Sequence, residues 1–214
     1  LHQIAEFELG RFILKNKGLN GYWTDYMISG DHSNVNSDSI EYWLLKHAPL
    51  VKATQERFTI FQDEIQKKLA SDMNMASIPC GSMNDLLTLD YSNLSNVHLV
   101  GMDIDQNSID LSQNNVDKEL SGSFVAEVEK ANAWELDRQE SDKFHLITSN
   151  GLNIYEPNEE RIIALYTKFY QALHPGGHLV TSFISKSPMV DSDSPWKNMD
   201  MNSLMKQKAI FVDI

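Results

Sequence analysis

The sequence contains a single cysteine, Cys80, so no disulfide can form within it. Basic side chains are scarce: eighteen against thirty acidic ones leave a formal net charge of −12. Such a charge repels phosphate backbones and removes the attraction that drives nonspecific nucleic-acid binding. No nucleic-acid partner is expected, and a small-molecule or protein substrate is favoured. Long apolar runs are missing too, none approaching the roughly 20 residues that a membrane span needs. The N-terminus lacks a basic flank followed by an apolar core. The expectation is a cytoplasmic protein without a membrane partner. No spacing of histidine, cysteine and acidic residues suggests a metal site, so none is expected.

What is present describes an ordinary globular chain. Its 214 residues, 42% hydrophobic and 22% charged, suffice for one α/β domain with a small appendage. The first part, residues 1 to 55, holds amphipathic stretches such as Ile4 to Leu9, interrupted by Gly18, Gly21 and Gly30. It reads as short helices joined by loops, with the polar Asp31 to Ser39 as a surface loop between two helical pieces. The core is expected over residues 56 to 214. Phe58, Phe61, Ile65 and Leu69 share one face of a predicted helix over Arg57 to Leu69.

Strands are then predicted at Met73 to Ile78, His98 to Asp103, Ser123 to Glu129, Phe144 to Ser149 and His178 to Phe183. Helices are predicted between them at Met83 to Leu89, Ser108 to Glu119 and Glu159 to Leu173. The first of these opens at Ser82, whose hydroxyl can cap while Asp85 bonds back. Repeated strand–helix units imply a doubly wound, mostly parallel sheet with helices on both faces, preceded by a small helical segment.

In such sheets ligands sit beyond the carboxyl ends of the strands, where strand order reverses. The first loop, Pro79-Cys80-Gly81-Ser82, has one glycine, which either lets a ligand approach the backbone or serves only a tight turn. The second strand ends in Asp103-Ile104, twenty-two positions after Gly81. An ionised carboxylate there can accept both hydroxyls of a ribose. Its alternative, a helix cap, suits Asp105 or Asn107 better. After the third strand Asn132 can read an adenine edge, with Ala133 beside it, while Trp134 or Ile104 can pack on the ring; Trp134 also suits a core position. The fourth strand runs into Ser149-Asn150-Gly151, and His174-Pro175-Gly176-Gly177 is expected as a turn before the last strand.

Together these loops resemble the class I S-adenosylmethionine-dependent methyltransferases over about Met73 to Phe183. The resemblance implies that Pro79, Cys80, Gly81 and Ser82 lie beneath the methionine part of S-adenosylmethionine. It implies further that Asp103, with Ile104, holds the ribose, that Asn132 and Ala133 meet adenine, and that Ser149, Asn150 and Gly151 stand beside the methyl donor. The reaction implied is methyl transfer to a small-molecule acceptor. A non-catalytic S-adenosylmethionine-binding or interaction module on the same fold is the alternative.

The chain departs from the family's pattern at three places around the first loop, and at Asn132, where aspartate is commoner in the third. Ser77 stands where an acidic residue is usual near the end of the first strand, and Pro79 and Met83 replace two glycines. Pro79 has no N–H to donate. A dinucleotide's pyrophosphate asks for a glycine-rich turn with several free N–H groups, so these departures oppose a nicotinamide or flavin dinucleotide. A polyamine synthase is opposed by the lack of an aspartate pair at Ser149-Asn150. Residues 1 to 55 take the position of a helical lid, including Gly21 to Tyr26, although a packed helix start also explains that stretch. Tyr155, His32 and Tyr22 are candidate bases on position alone, and no catalytic residue is assigned. His145 and His178 are expected to pack in or beside strands. The family's sheet usually continues past the fifth strand, and Leu1 opens the sequence. Either a C-terminal piece is absent or the sheet closes in another way; in the first case an exposed sheet edge would invite association, such as a dimer.

Overall fold

The structure, a computed structural model, describes residues 2–119, 124–136, 143–183, 200, 202–203 and 205–206. The chain divides into two compact units, one of residues 1–58 with 184–214, the other of Thr59–Phe183. Among the described residues no helix is long and apolar enough to cross a membrane.

In the first unit a 3₁₀ helix, Gln3–Glu6, precedes α1 (Glu8–Asn16), α2 (Gly21–Ser29) and α3 (Ile40–His47). Each start has a local cause. Asn20 caps α2 by accepting from the Trp23 amide, and Ser39 caps α3 by accepting from the Tyr42 amide, each satisfying an N–H that the first turn leaves without a partner. Leu9, Ile13, Met27, Leu44, Leu45 and Val51 form the buried cluster of this unit. Asp31 to Ser39 is a loop, as the sequence implied, but His32 within it is buried.

α4 (Pro49–Gln66) is longer than the predicted helix: it begins eight residues earlier and ends three earlier. Pro49 explains the start, since proline at a first helical position has its φ already set and lacks only an N–H that would find no helical partner. The polar residues Lys52, Gln55 and Glu56 had masked this turn of the period.

Among the described residues the second unit holds a five-stranded sheet of β1 (Asn74–Ser77), β2 (Val97–Asp103), β3 (Phe124–Lys130), β4 (Phe144–Ser149) and β5 (Leu173–Thr181). The order is β3-β2-β1-β4-β5 and every pairing is parallel. Alternate residues separate two interiors. Met75, Leu99 and Leu146 join Phe61, Ile65, Leu86 and Val116 on one face, where α5 (Asn84–Leu87) and α6 (Gln106–Glu119) pack. Ala76, Val100, Met102 and Ile147 join Leu165 and Phe169 of α7 (Glu159–Ala172) on the other. A sheet buried on both faces needs apolar residues of both parities, and its strands supply them.

Two local expectations are corrected. His174 to Gly177 does not precede the last strand: Leu173 already pairs with Phe144, and Leu146 next pairs with His178. The turn sequence is therefore an excursion within β5, with Gly176 at φ +83°. Nor does Ser82 open a helix over Met83 to Leu89. α5 spans four residues, its N-cap is Met83 in the left-handed region, and no side chain caps it.

Candidate active site

Strand order reverses between β1 and β4, because β1 continues to β2 on one side and β4 to β5 on the other. The crevice outside the carboxyl ends of these two strands is where a parallel sheet of this kind accepts a ligand. Ser77 ends β1 and pairs with Thr148 of β4, so two buried hydroxyls face each other at that point.

The partner of both hydroxyls is Asp85, brought there by α5. The Ser77 hydroxyl donates to its two carboxylate oxygens at 3.0 and 2.9 Å, and the Thr148 hydroxyl donates to Oδ2 at 2.5 Å. Burial raises the Asp85 carboxyl above its ordinary range, while the bonds from Thr148 and Ser77 pull the other way. Sequence reasoning placed Ser77 where an acid is usual and read Asp85 as a capping partner. The structure supplies the carboxylate to that position from the following helix. A polar residue at the end of each of two otherwise apolar strands was the available signal, since buried hydroxyls require a partner.

Asp103 ends β2 and is only 7% exposed. Its Oδ2 accepts the Gly81 amide at 3.0 Å, and its Oδ1 accepts the Asp105 amide at 2.9 Å. The side chain thus ties the first loop to the second. Burial raises its carboxyl, opposed by these backbone N–H groups. Capping falls to Asp105, whose Oδ2 accepts the Ser108 amide and hydroxyl at 3.1 and 2.9 Å. Asp103 keeps acceptor capacity beyond what the Gly81, Asp105 and Ile104 amides use, because a carboxylate has about four acceptor sites. Ile104 beside it is 63% exposed, an apolar side chain standing in solvent at the strand tip.

The first loop is more occupied than its sequence suggested. Pro79 follows Ile78 through a cis peptide bond, and the Cys80 amide donates to the Met102 carbonyl at 2.8 Å. The Cys80 thiol points away from the loop surface, 3.8 Å from the Ser112 hydroxyl of α6, and burial pushes it up to about 12. Gly81 sits at φ +54°, a conformation that favours glycine, and its N–H already serves Asp103. Ser82 is buried, and its carbonyl accepts the Asn115 side-chain amide at 3.0 Å. Gly101 on β2 makes room for this turn, since a Cβ there would lie 2.9 Å from the Met83 sulfur and 3.3 Å from Cys80 Cβ.

Asn132 caps the short 3₁₀ helix Ala133–Glu135 by accepting the Trp134 amide at 3.1 Å. Ala133 is buried in the cluster beneath α7. Trp134 packs against that cluster, and the Arg161 guanidinium lies 5.1 Å from its ring centre. The exposed Ile104 is thus better placed than Trp134 to meet a planar ligand. At the fourth loop Ser149 is buried, the Asn150 side-chain oxygen accepts the Ser182 hydroxyl at 2.7 Å, and Gly151 stands at φ +90°.

The candidate bases belong to different units. His32 lies in the first unit, where its Nε2 donates to the Tyr26 carbonyl at 2.7 Å, and Tyr22 belongs to α2 of the same unit. Tyr155 ends the 3₁₀ helix Leu152–Tyr155 after β4. His145 accepts the Asn74 amide through Nδ1 and stacks on His174 at 5.1 Å, a packing role. His178 pairs within β5. Among the described residues no group of histidine, cysteine and acidic side chains is arranged to hold a metal ion.

Comparison with known proteins adds the family. The family described as "Methyltransferase domain" matches residues 69–211. A crystal structure of a protein from Bordetella parapertussis, described as a possible exported protein, is 39% identical, with a TM-score of 0.87 over 98% of this chain and 70% of its own. The [4+2]-cyclase SpnF is 14% identical with a TM-score of 0.51, over 72% of this chain and 57% of its own. YcgJ of Bacillus subtilis is 15% identical with a TM-score of 0.50, over 72% and 67%. The latter two share the fold. No curated protein matches the sequence. With the methyltransferase domain matched over residues 69–211, most of the chain, and a parallel sheet ordered about a β1/β4 reversal, the chain belongs to the methyltransferase-domain family and is a methyltransferase of the class I, Rossmann-like fold.

Proposed function

We propose that the protein binds S-adenosylmethionine at the carboxyl ends of β1, β2 and β4 and transfers its methyl group to a small-molecule acceptor. One observation carries the reading: the Asp103 carboxylate, fixed by the Gly81 and Asp105 amides, retains acceptor capacity at the tip of β2 with the exposed Ile104 next to it. This donor set fits an adenosyl group. A carboxylate that can only accept suits two ribose hydroxyls, and an apolar side chain suits the face of adenine.

S-adenosylmethionine brings a methyl group already activated on a sulfonium, so the chain's residues need to align and desolvate more than to activate. Asp103 would hold the ribose and Asn132 the adenine edge, with Ala133 and Trp134 behind. Gly81 and Gly151, both in the left-handed region, would leave room for backbone approach from the first and fourth loops. Asp85, held by Ser77 and Thr148, keeps the ends of β1 and β4 in register beneath the crevice. Pro79 offers no N–H and the Gly81 N–H is already engaged, so methionine-carboxylate binding rests on groups other than these two.

The net charge of −12 supports a small acceptor over nucleic acid, and the single cysteine suits a reaction in the cytoplasm. Calorimetric titration with S-adenosylhomocysteine, with NAD as control, tests the proposal. Micromolar binding of the first and none of the second supports it; absence of both defeats it. Turnover of one member of a panel of amine, hydroxyl and thiol acceptors identifies the acceptor class, and binding without turnover of any of them counts against a small-molecule acceptor of these kinds.

A further inference from the structure

The first unit carries a cavity of about 360 Å³ whose walls include Tyr22, Trp23 and Tyr26 of α2 with Glu6, Glu8 and Glu41. Trp23 meets both tyrosines edge-on, Tyr22 at 5.0 Å and 90°, Tyr26 at 5.5 Å and 87°. These rings form an aromatic corner; Trp23 also meets Phe12 at 5.9 Å and Tyr26 meets His32 at 5.0 Å, which leaves Tyr22, 42% exposed, as the most open of the three. The Tyr26 hydroxyl donates to Glu41 Oε1 at 3.3 Å, which orients that carboxylate at the edge of the corner.

We propose that this cavity binds a small organic ammonium ion, with quaternary and tertiary ammonium groups preferred. Two features select that class together. Ring faces attract a cation through their quadrupole and give a methylated ammonium group the apolar contact that its methyls require. Carboxylates supply the opposite charge: three line the cavity against one guanidinium, that of Arg11, whose Nη1 donates to the Ala5 carbonyl at 3.1 Å. A neutral apolar ligand would gain nothing from the carboxylates. A metal ion would gain little from the rings, and the carboxylates are not gathered as metal ligands. A cation that is also apolar uses both.

This site lies wholly in the first unit and does not depend on methyl transfer. It is tested on the full chain by calorimetry and tryptophan fluorescence with choline and with its neutral isostere, 3,3-dimethylbutanol. Saturable choline binding at least about threefold tighter than that of the isostere is expected, as the loss of a cation from partly exposed aromatic rings implies. Tyr22→Ala, at a ring 42% exposed, and Glu41→Gln, which keeps an acceptor for Tyr26, should each weaken choline by about three- to tenfold while circular dichroism stays unchanged. Equal affinity for choline and the isostere, no saturable binding of choline, or full affinity in both folded variants would overturn the assignment.

Discussion

Replacing Asp103 by alanine removes two sets of interactions at once, and they can be measured apart. In the folded chain its two oxygens take the Gly81 amide at 3.0 Å and the Asp105 amide at 2.9 Å. The variant leaves both amides without this acceptor, at about 1–2 kcal/mol each once partial solvation of a loop is allowed for, a loss of roughly 2–4 kcal/mol of stability. For a domain of this size that lowers Tm by about 4–16 °C. Adenosyl binding loses, separately, the charge-assisted bonds to two ribose hydroxyls. This is again roughly 2–4 kcal/mol, or about 30- to 1000-fold in Kd. The assay is calorimetric titration of S-adenosylhomocysteine at a temperature well below the variant's transition, with circular dichroism to establish the folded fraction. A folded variant of lower Tm that binds S-adenosylhomocysteine within about threefold of the unaltered chain would refute the placement of the ribose and leave Asp103 as a strut between loops.

The Asp85 carboxyl is raised by burial, so the folded chain holds its proton to higher pH than the unfolded chain does. Between the ordinary aspartate range and the raised value the folded state binds more protons, and stability falls as pH rises. Asp85→Asn should flatten that part of the profile in urea titrations from acid to neutral pH; an identical slope in both proteins would contradict it. Gly101→Ala places a Cβ 2.9 Å from the Met83 sulfur and 3.3 Å from Cys80 Cβ, so a loss of about 1–3 kcal/mol is expected from urea denaturation, and an unchanged midpoint would show that the turn gives way freely. Cys80, buried and pushed up to about 12, should react with a thiol reagent only after denaturant is added; rapid labelling of the native chain at neutral pH would show that the first loop opens.

Particular elements show how far the sequence could be read. The alternation of apolar runs with amphipathic stretches located β2, β3 and β4 within a residue, since a buried parallel strand and a one-faced helix leave different periods in the chain. Asp103 was legible because a βα turn followed by an acid at the tip of the next strand is a local spacing. Asp85 was misread because its partners, Ser77 and Thr148, are eight and sixty-three residues away, and no period records such a meeting. The start of α4 was hidden because polar residues of the first unit interrupt its apolar face.

By itself the sequence determined the class of fold, the excess of negative charge, the family, and which residues stand at the tips of β2 and β4. These depend on composition, periodicity and short-range spacing, all of which survive in one dimension. Only the tertiary structure decided what each polar group in those loops has left to give. It turned the Cys80 thiol toward α6, committed the Gly81 N–H to Asp103, set Asn132 to cap a 3₁₀ turn and left Ile104 in solvent. Hydrogen-bond capacity is finite and is allocated among neighbours in space, so the availability of a donor or acceptor follows only once the strands have been brought side by side.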